Sequence, residues 1–218
     1  MDESLMLSLF RCSTQDHTEH FWVLTHALLL SFWQKGLLGS VPDTDIPHIA
    51  FAATFHDIGK GALSRDIFEK PAGLKPLEKR IMQMHPSMGA LILEAIVPTE
   101  FQQERLYQYG REICLHHHER WDGSGYPDGL KGDAIAPYIQ VIGLADAYDA
   151  LRANRPYRLG LSHDEAVQLI SCGKCGQFAP QLLEHFLSVI DLAEDDIYSQ
   201  VQKQTGPERG LNRHSQDE

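Results

Sequence analysis

A histidine and an aspartate stand side by side in the segment FHDIGKG, at positions 56 and 57. Both residue types are common metal ligands, and a glycine and a lysine follow them closely. Nine of the 12 histidines lie between positions 17 and 118, which favours a metal site assembled from several parts of the chain. A single histidine on an apolar face is more often an ordinary core residue than a ligand, so the predicted helix faces must decide.

The apolar pattern before His56 predicts that its side chain points toward the core. Apolar residues precede it at spacings of three and four, and Asp57 lies at the edge of the same helical stripe. Both side chains would be costly to bury without a partner, and a divalent metal is one such partner. We expect the helix to stop at Gly59 in a left-handed conformation, so that Lys60 turns toward a substrate.

Carboxylates occupy predicted helix faces in two other segments. Asp146 falls on the apolar stripe of PYIQVIGLADAYDAL, where an ionised carboxylate needs a cation or several hydrogen bonds. Asp149 lies one helical turn further on. It is either a residue that hydrogen-bonds a metal ligand and orients it, or a carboxylate on the helix surface or at a helix cap. Near the start of the chain, Asp16 and His20 are four residues apart and face one point, with His17 as the rival ligand.

The remaining candidate ligands stand at the ends of predicted helices. His85 ends an apolar stripe and is followed by Pro86, and the pair His117 and His118 ends the next helix before a glycine-rich loop. Neighbouring histidines diverge on a helix, so this pair could serve two metals, and His116 would then face elsewhere. Nitrogen and oxygen ligands without cysteine suit Fe, Mn, Zn, Ni or Co. Two such metals about 3.5–4 Å apart are an established arrangement for phosphoester hydrolysis.

Composition limits the classes of protein that the sequence can encode. The 218 residues, of which 43% are hydrophobic, are enough for one domain with a sizeable core. A net charge of −11 argues against binding long nucleic acid but allows a small anionic ligand. No signal peptide or apolar run of membrane-spanning length is present, so we expect a cytoplasmic protein. Cys172 and Cys175 form a single C-x-x-C, which is more often a reduced pair near a turn than part of a zinc site.

The elements that must position these residues are helices. Apolar residues recur mostly at helical spacing, which predicts an all-α domain. Asp45 is expected to cap a helix that has Pro47 in its first turn. We expect one domain over 1–195, with its core at about 16–190, and a flexible polar tail over 196–218. The predicted helices are 16–35, 46–58, 76–96, 101–118, 137–153, 163–171 and 179–191.

The order of these motifs resembles the HD-GYP family of phosphodiesterases, a branch of the HD phosphohydrolase superfamily. The resemblance extends from about residue 16 to 190, and the long HHERWDGSGYP string is highly specific. It implies a compact helical bundle around a buried centre of two or three metals, often iron, that hydrolyses the bacterial second messenger cyclic di-GMP to linear pGpG and onward to GMP. The motifs are HDIGK (56–60), HP with a glycine (85–89), HHERWDGSGYPDGL (117–130), ADAYDAL (145–151), RPYR (155–158) and CGQFAPQLLEHFL (175–187).

The resemblance also implies roles for individual residues. Asp57 and Lys60 are the implied catalytic residues, and Lys60 matches a phosphate-binding lysine. Asp16 stands where members with three metals carry a glutamate, which leaves the third metal open. The implied metal ligands are Asp16, His20, His56, Asp57, His85, His117, His118 and Asp146. The implied substrate contacts are Lys60, Trp121, Tyr126, Pro127, Arg155 and Arg158, with packing under the loop as the alternative for Trp121 and a solvated helix end as the alternative for both arginines.

Three functions remain to be separated. An active cyclic di-GMP phosphodiesterase is favoured because every implied metal position holds a competent residue. Hydrolysis of another cyclic dinucleotide, such as cyclic GMP-AMP, is the second. A ligand-sensing or partner-binding module is the third, with a diguanylate cyclase or a separate sensor or receiver protein as the implied partner. A homodimer is compatible with each of them.

Overall fold

The computed structural model describes residues 15–68, 70, 72–154 and 159–205. The regular structure in this part of the chain is helical, which confirms the prediction of an all-α fold. The α-helices are α1 (Gln15–Gln34), α2 (Ile46–Ala53), α3 (Arg65–Phe68), α4 (Pro76–Met82), α5 (His85–Ile96), α6 (Arg105–His116), α7 (Pro137–Arg152), α8 (His163–Ser171) and α9 (Pro180–Thr205). Short 3-10 helices lie between them at Asp43–Asp45, Ile58–Ala62, Thr99–Phe101 and Gly132–Ala134.

The core forms where α1, α7 and α9 pack together, with α2 and α6 completing the bundle. α7 is buried on nearly every side, and its Ile142 and Tyr148 side chains are fully shielded from solvent. Leu28 of α1 and Phe186 of α9 are buried against the same core. Burial of each such side chain contributes about 1.5–3 kcal/mol. This packing anchors the helix that carries Asp146 into the interior.

The helix predicted over 76–96 is divided at Gln83 and Met84 into α4 and α5, so the prediction of one helix was wrong. His85 begins α5, whereas it was predicted to lie inside one continuous helix at the end of an apolar stripe. Pro86 lies in the first turn of α5, where its missing N–H costs nothing because that position has no acceptor within the helix. The break directs the first turn of α5 toward the interior, and His85 is buried there.

The helix predicted over 46–58 ends at Ala53, so the prediction of a helix stop at Gly59 in a left-handed conformation was also wrong. Gly59 lies within the following 3-10 helix and is buried. A Cβ atom at this position would lie 2.0 Å from the backbone oxygen of His85 and 2.5 Å from the nitrogen of Gly89. Glycine is therefore needed for close backbone approach to α5.

Asp45 stands before α2, with Pro47 in the first turn as expected, but its side chain makes no cap hydrogen bond. The carboxylate instead accepts two hydrogen bonds from Arg105 Nη1, at 2.9 and 2.7 Å, and one from the Tyr109 hydroxyl at 2.7 Å. Both donors lie on α6. The residue predicted as a cap instead connects the start of α2 to α6 through its buried carboxylate.

The last helix is longer than the sequence analysis predicted. α9 continues to Thr205, past the predicted end at 191 and into the segment expected to be a tail. Residues 206–218 lie outside the described part of the chain. Of the helices in that part, none is both long and apolar enough to cross a bilayer.

Candidate metal centre

Several parts of the chain converge on one cluster of histidine and aspartate side chains. The first two members lie in the turn after α2, and the third is the first residue of α5. A pair of histidines directly follows α6, and the last member lies on α7. The cluster contains six of the residues predicted as ligands: His56, Asp57, His85, His117, His118 and Asp146. The cluster is thus assembled from a turn, the start of one helix, the residues after another helix and the middle of a third.

The candidate ligand atoms form two groups that share one aspartate. Within each group, one nitrogen or oxygen atom per residue lies within 4.8 Å of the others. The first group consists of Asp57, His85, His117 and His118, and the second of His56, Asp57 and Asp146. A carboxylate has two oxygen atoms, so the shared residue can offer one to each group. The arrangement fits two neighbouring cations joined by one carboxylate.

Backbone carbonyls fix which ring nitrogen faces the cluster. His85 Nδ1 lies 2.8 Å from the carbonyl oxygen of Met82, and His117 Nδ1 lies 2.9 Å from that of Ile113. A carbonyl oxygen only accepts, so in each neutral ring Nδ1 carries the proton and Nε2 keeps its lone pair. The two Nε2 atoms are 3.2 Å apart. Two lone pairs at this distance repel each other unless a cation lies beside them, as in a metal site.

The Asp57 carboxylate points to the same conclusion. Its Oδ1 atom is buried and accepts no hydrogen bond from the described residues, although His85 Nε2 lies 3.2 Å away. A buried carboxylate oxygen is costly unless a donor or a cation compensates it. The facing lone pairs and this oxygen fit a divalent metal that prefers nitrogen and oxygen ligands.

Burial and neighbouring charges keep the candidate ligands Asp57, His117 and His118 in the protonation state that binds a cation. Burial lowers the pKa of His117 well below 6.5 and that of His118 to about 3, so both rings are neutral at pH 7. Burial raises the pKa of the Asp57 carboxyl, but the charges of His56 and Lys60 outweigh it and hold the pKa well below its usual range. Burial lowers the pKa of His56, but its two neighbouring carboxylates raise it to about 10.

His20 of α1 lies apart from both groups. Its Nε2 atom is 3.2 Å from Asp149 Oδ1, and both side chains are largely shielded from solvent. This contact and the low exposure of Asp149 argue against a solvated surface carboxylate. The side chains of Asp16 and His17 lie outside the described residues.

Lys60 lies at the edge of the cluster, where its Nζ atom contacts Asp57 Oδ2. The lysine belongs to the 3-10 helix that begins just after Asp57. Residues three apart eclipse each other in a 3-10 helix, so this element directs the two side chains to one side. The Lys60 side chain is 26% exposed and remains within reach of a ligand that enters from solvent.

The glycine-rich stretch at residues 121–130, here called the GYP loop, lies against the cluster. The Tyr126 ring stacks on the His118 ring, with 4.8 Å between their centres and 28° between their planes. Its backbone N–H donates to the His118 carbonyl oxygen at 3.3 Å. Pro127 follows through a cis peptide bond and is half-buried. The loop thus brings an aromatic ring to the edge of the candidate ligands.

Of the other predicted substrate contacts, one packs against the core and two lie outside the described residues. Trp121 is half-buried and packs against the apolar core, which favours the packing interpretation. Its backbone N–H donates to the carbonyl oxygen of Gln177 at 2.8 Å. Arg155 and Arg158 both lie outside the described part of the chain.

The sequence analysis gave no role to Glu119 and Arg120, which directly follow the histidine pair. Arg120 donates from Nε to the carbonyl oxygen of Cys175 at 2.9 Å and from Nη1 to that of His117 at 3.1 Å. Its guanidinium carbon lies 4.9 Å from the ring centre of Phe178. Arg120 therefore ties the end of α6 to the C-x-x-C segment. The available signal was the placement of two charged residues between predicted buried histidines and a glycine-rich loop.

The fold and the cluster define an all-helical protein with a centre suited to divalent metal. The sequence pattern of a family described as HD domain matches residues 16–180, a stretch that contains both groups of candidate ligands. The chain therefore belongs to the HD domain family.

Two relatives from Vibrio cholerae serotype O1 are similar to about two thirds of the chain. A probable cyclic di-GMP phosphodiesterase is 41% identical over 147 residues, which cover 66% of this chain and 33% of the relative. The 3'3'-cGAMP-specific phosphodiesterase 2 is 35% identical over 150 residues, which cover 69% of this chain and 28% of the relative. The chain thus spans about a third of the length of these relatives.

A solved structure supports the fold. Bd1817, an HDG"Y"P protein from Bdellovibrio bacteriovorus, matches with a TM-score of 0.57 and 21% identity. The match covers 80% of this chain and 52% of the other. At this identity the likeness shows the fold alone, and it confirms the helical bundle of the HD type that the sequence analysis predicted.

Proposed function

We propose that this chain is a metal-dependent phosphodiesterase that hydrolyses cyclic di-GMP to linear pGpG, with further cleavage to GMP as the alternative end point. The observation that carries the proposal is the position of Asp57 in both groups of candidate ligands. Paired metals about 3.5–4 Å apart are an established arrangement for phosphoester hydrolysis. The relative named as a probable cyclic di-GMP phosphodiesterase supports the choice of substrate.

The proposed centre holds two divalent transition metals. Nitrogen and oxygen ligands suit iron, manganese, nickel, zinc and cobalt. Among these metals the resemblance to the HD-GYP family favours iron. A third metal would use Asp16 and His20, and the contact of His20 with Asp149 supports a ligand position on that side. The proposed ligands of the two central metals are His56, Asp57, His85, His117, His118 and Asp146.

The chain's own residues would hold and orient the substrate. When bound, divalent metals lower the pKa of water and neutralise charge on a phosphate. The partly exposed Lys60 ammonium, next to Asp57, is proposed to bind a phosphate oxygen. The Tyr126 ring, beside His118, is proposed to contact the nucleotide. The other proposed substrate contacts are Pro127, Arg155 and Arg158.

Two alternatives follow from the same observations. Hydrolysis of 3'3'-cGAMP is favoured by the similarity to a phosphodiesterase with that name. A sensing module that binds a diguanylate cyclase or a separate receiver protein is the other, and the complete set of candidate ligands argues against it. The two substrates differ in one base, so the same metals and the same lysine would serve either of them.

A competition assay separates these functions. The protein is purified without oxygen, loaded with Fe(II) or Mn(II), and given cyclic di-GMP and 3'3'-cGAMP together, and both are followed by chromatography. We expect cyclic di-GMP to be consumed first, with a kcat/KM at least about tenfold higher. Faster loss of 3'3'-cGAMP would favour the second candidate. If neither is consumed by metal-loaded protein, the sensing module is the better account.

The proposed role of Lys60 can be tested in the same assay. We expect Lys60→Ala to raise KM about tenfold, because a charged hydrogen bond to phosphate is lost. Lys35→Ala is the matched control, because Lys35 is exposed at the end of α1 and distant in sequence from the candidate site. Equal KM values in the two variants would contradict the role of Lys60.

A further inference from the structure

Glu119 is a buried carboxylate that belongs to neither group of candidate ligands. It directly follows His118, and only 2% of its surface is exposed. Burying a carboxylate is costly unless it is paired or accepts several hydrogen bonds. Among the described residues, no basic side chain forms an ion pair with Glu119. Its compensation comes from the backbone of the GYP loop.

Three consecutive backbone N–H groups donate to this carboxylate. Those of Asp128 and Gly129 reach Oε1 at 2.7 and 3.1 Å, and that of Leu130 reaches Oε2 at 2.9 Å. Gly129 has a φ of 67°, in the left-handed region that favours glycine. Successive N–H groups that converge around such a residue form a concave anion-binding site. The anion held here is a side chain of the same chain.

The backbone of Glu119 lies under the part of the loop that meets the cluster. A Cβ atom on Gly125 would lie 2.4 Å from Glu119 Cα, so the backbone of the loop returns directly over Glu119. The next residue, Tyr126, stacks on His118. Glu119 thus connects the backbone just after Tyr126 to the backbone just after His118.

We propose that Glu119 is a positioning residue for substrate binding, which holds the GYP loop so that Tyr126 stays against His118 at the mouth of the metal centre. This inference rests on the proposed function. Glu119 acts through Tyr126 and not on the metals, because its carboxylate oxygens are occupied by the loop N–H groups and lie outside both ligand groups.

The test uses the full chain loaded with Fe(II) or Mn(II) and cyclic di-GMP as substrate. Glu119→Gln keeps the size of the side chain but turns one acceptor into a donor that faces an N–H group. We expect KM to rise about tenfold, kcat to change less than about threefold, and the metal content to stay that of the wild type. Faster amide exchange at residues 128–130 should accompany the change. Asp122→Asn is the control, because Asp122 is exposed in the same loop and bonds only Ser124.

A double-mutant cycle tests whether Glu119 acts through Tyr126. In a Tyr126→Ala background, Glu119→Gln should raise KM no further, whereas multiplied effects would overturn the inference. Gly129→Ala disturbs the same N–H groups from the backbone side and should raise KM in the same direction, which keeps the test valid if Glu119→Gln does not fold.

The outcomes separate this inference from the proposed function. An active wild type together with a Glu119→Gln variant of unchanged KM would overturn the inference alone. Loss of metal from Glu119→Gln would also overturn it, since the effect would then lie at the ligands. A metal-loaded wild type that neither binds nor hydrolyses a cyclic dinucleotide would overturn the proposed function and the inference with it.

Discussion

The histidines of the candidate centre are oriented by backbone carbonyls of their own local turns. His56 Nδ1 lies 2.8 Å from the carbonyl oxygen of Ala53, and His85 and His117 follow the same pattern with residues three or four positions earlier. These carbonyls therefore set the direction of the rings of His56, His85 and His117, three of the four histidines in the cluster. The sequence predicted these residues as ligands but not these hydrogen bonds, because they depend on where each helix begins and ends.

At the residue scale, Gly59 should be the least replaceable glycine of the HDIGKG segment. Gly59→Ala places a methyl group against the backbone of α5, and neither backbone can give way easily. We expect the free energy of unfolding to fall by about 1–3 kcal/mol or more. Urea denaturation of the purified variant measures this change.

Gly61→Ala is the matched control for that variant. Nothing lies within 4 Å of a Cβ atom at position 61, and the same residue type is exchanged two positions away. We expect its free energy of unfolding to stay within about 0.5 kcal/mol of the wild type. Equal denaturation midpoints for the two variants would contradict the close approach of the 3-10 helix to α5.

A second residue-scale prediction concerns pH. Burial and the Asp45 carboxylate raise the pKa of Tyr109 to about 12. The Glu112 charge adds to this rise in pKa, and the Arg105 charge opposes it. A raised pKa means that the neutral phenol stabilises the fold fully below the unfolded pKa of about 10 and loses this effect as the pH rises through about 12. We expect Tyr109→Phe to be about 1 kcal/mol less stable at pH 8, with a smaller difference at pH 11. Urea unfolding at both pH values checks this; an unchanged difference would count against the Tyr109–Asp45 bond.

At the scale of elements, the sequence predicted helix type well and helix ends poorly. The stripe that includes Asp146 lies on α7 as expected, because a long, strongly apolar helix leaves little choice of buried face. Pro86 was predicted to lie inside one helix over 76–96, yet it lies in the first turn of α5, where proline is well tolerated. Gly59 was predicted to mark the end of a helix, yet glycine is needed there because the backbone lies directly against α5. Contacts between elements of this kind leave no local pattern.

The contact between α7 and the end of α6 gives an element-scale prediction. A Cβ atom on Gly143 would lie 2.9 Å from the carbonyl oxygen of His117, so α7 can approach the histidine pair only with glycine there. We expect Gly143→Ala to lower the free energy of unfolding by about 1–3 kcal/mol and to reduce metal content, because Asp146 moves away from the histidines. Urea denaturation and elemental analysis measure the two effects.

Gly110→Ala in α6 serves as its control. The nearest atom to a Cβ there would be Leu93 Cδ1 at 3.5 Å, an ordinary contact. Alanine in a helix interior should leave stability equal or raise it by about 0.5–1 kcal/mol. If Gly143→Ala retains full metal and full stability, the account of this helix contact is wrong.

At the scale of the whole molecule, the sequence indicated which residues could be ligands because they fall into short, recognisable motifs. The clustering of six candidate ligands required the fold, since they come from positions 56 to 146. The anchoring residues Glu119 and Arg120 escaped prediction because their partners are backbone atoms in other segments. The pattern of charged and apolar residues predicts a candidate metal ligand. The backbone contacts that hold the surrounding segments in place become visible only in the folded structure.

The central claim is that Asp57 joins two metal positions in a phosphodiesterase. The most direct test measures metal per chain and cyclic di-GMP hydrolysis for the wild type and Asp57→Asn, purified side by side without oxygen. Asp66→Asn, an exposed change on α3, is the control. The account predicts two or more divalent metals per wild-type chain, a clear loss of metal in Asp57→Asn and a fall in kcat of at least about 10³-fold. A wild type with fewer than two metals, or an Asp57→Asn variant with full metal and turnover, would contradict it.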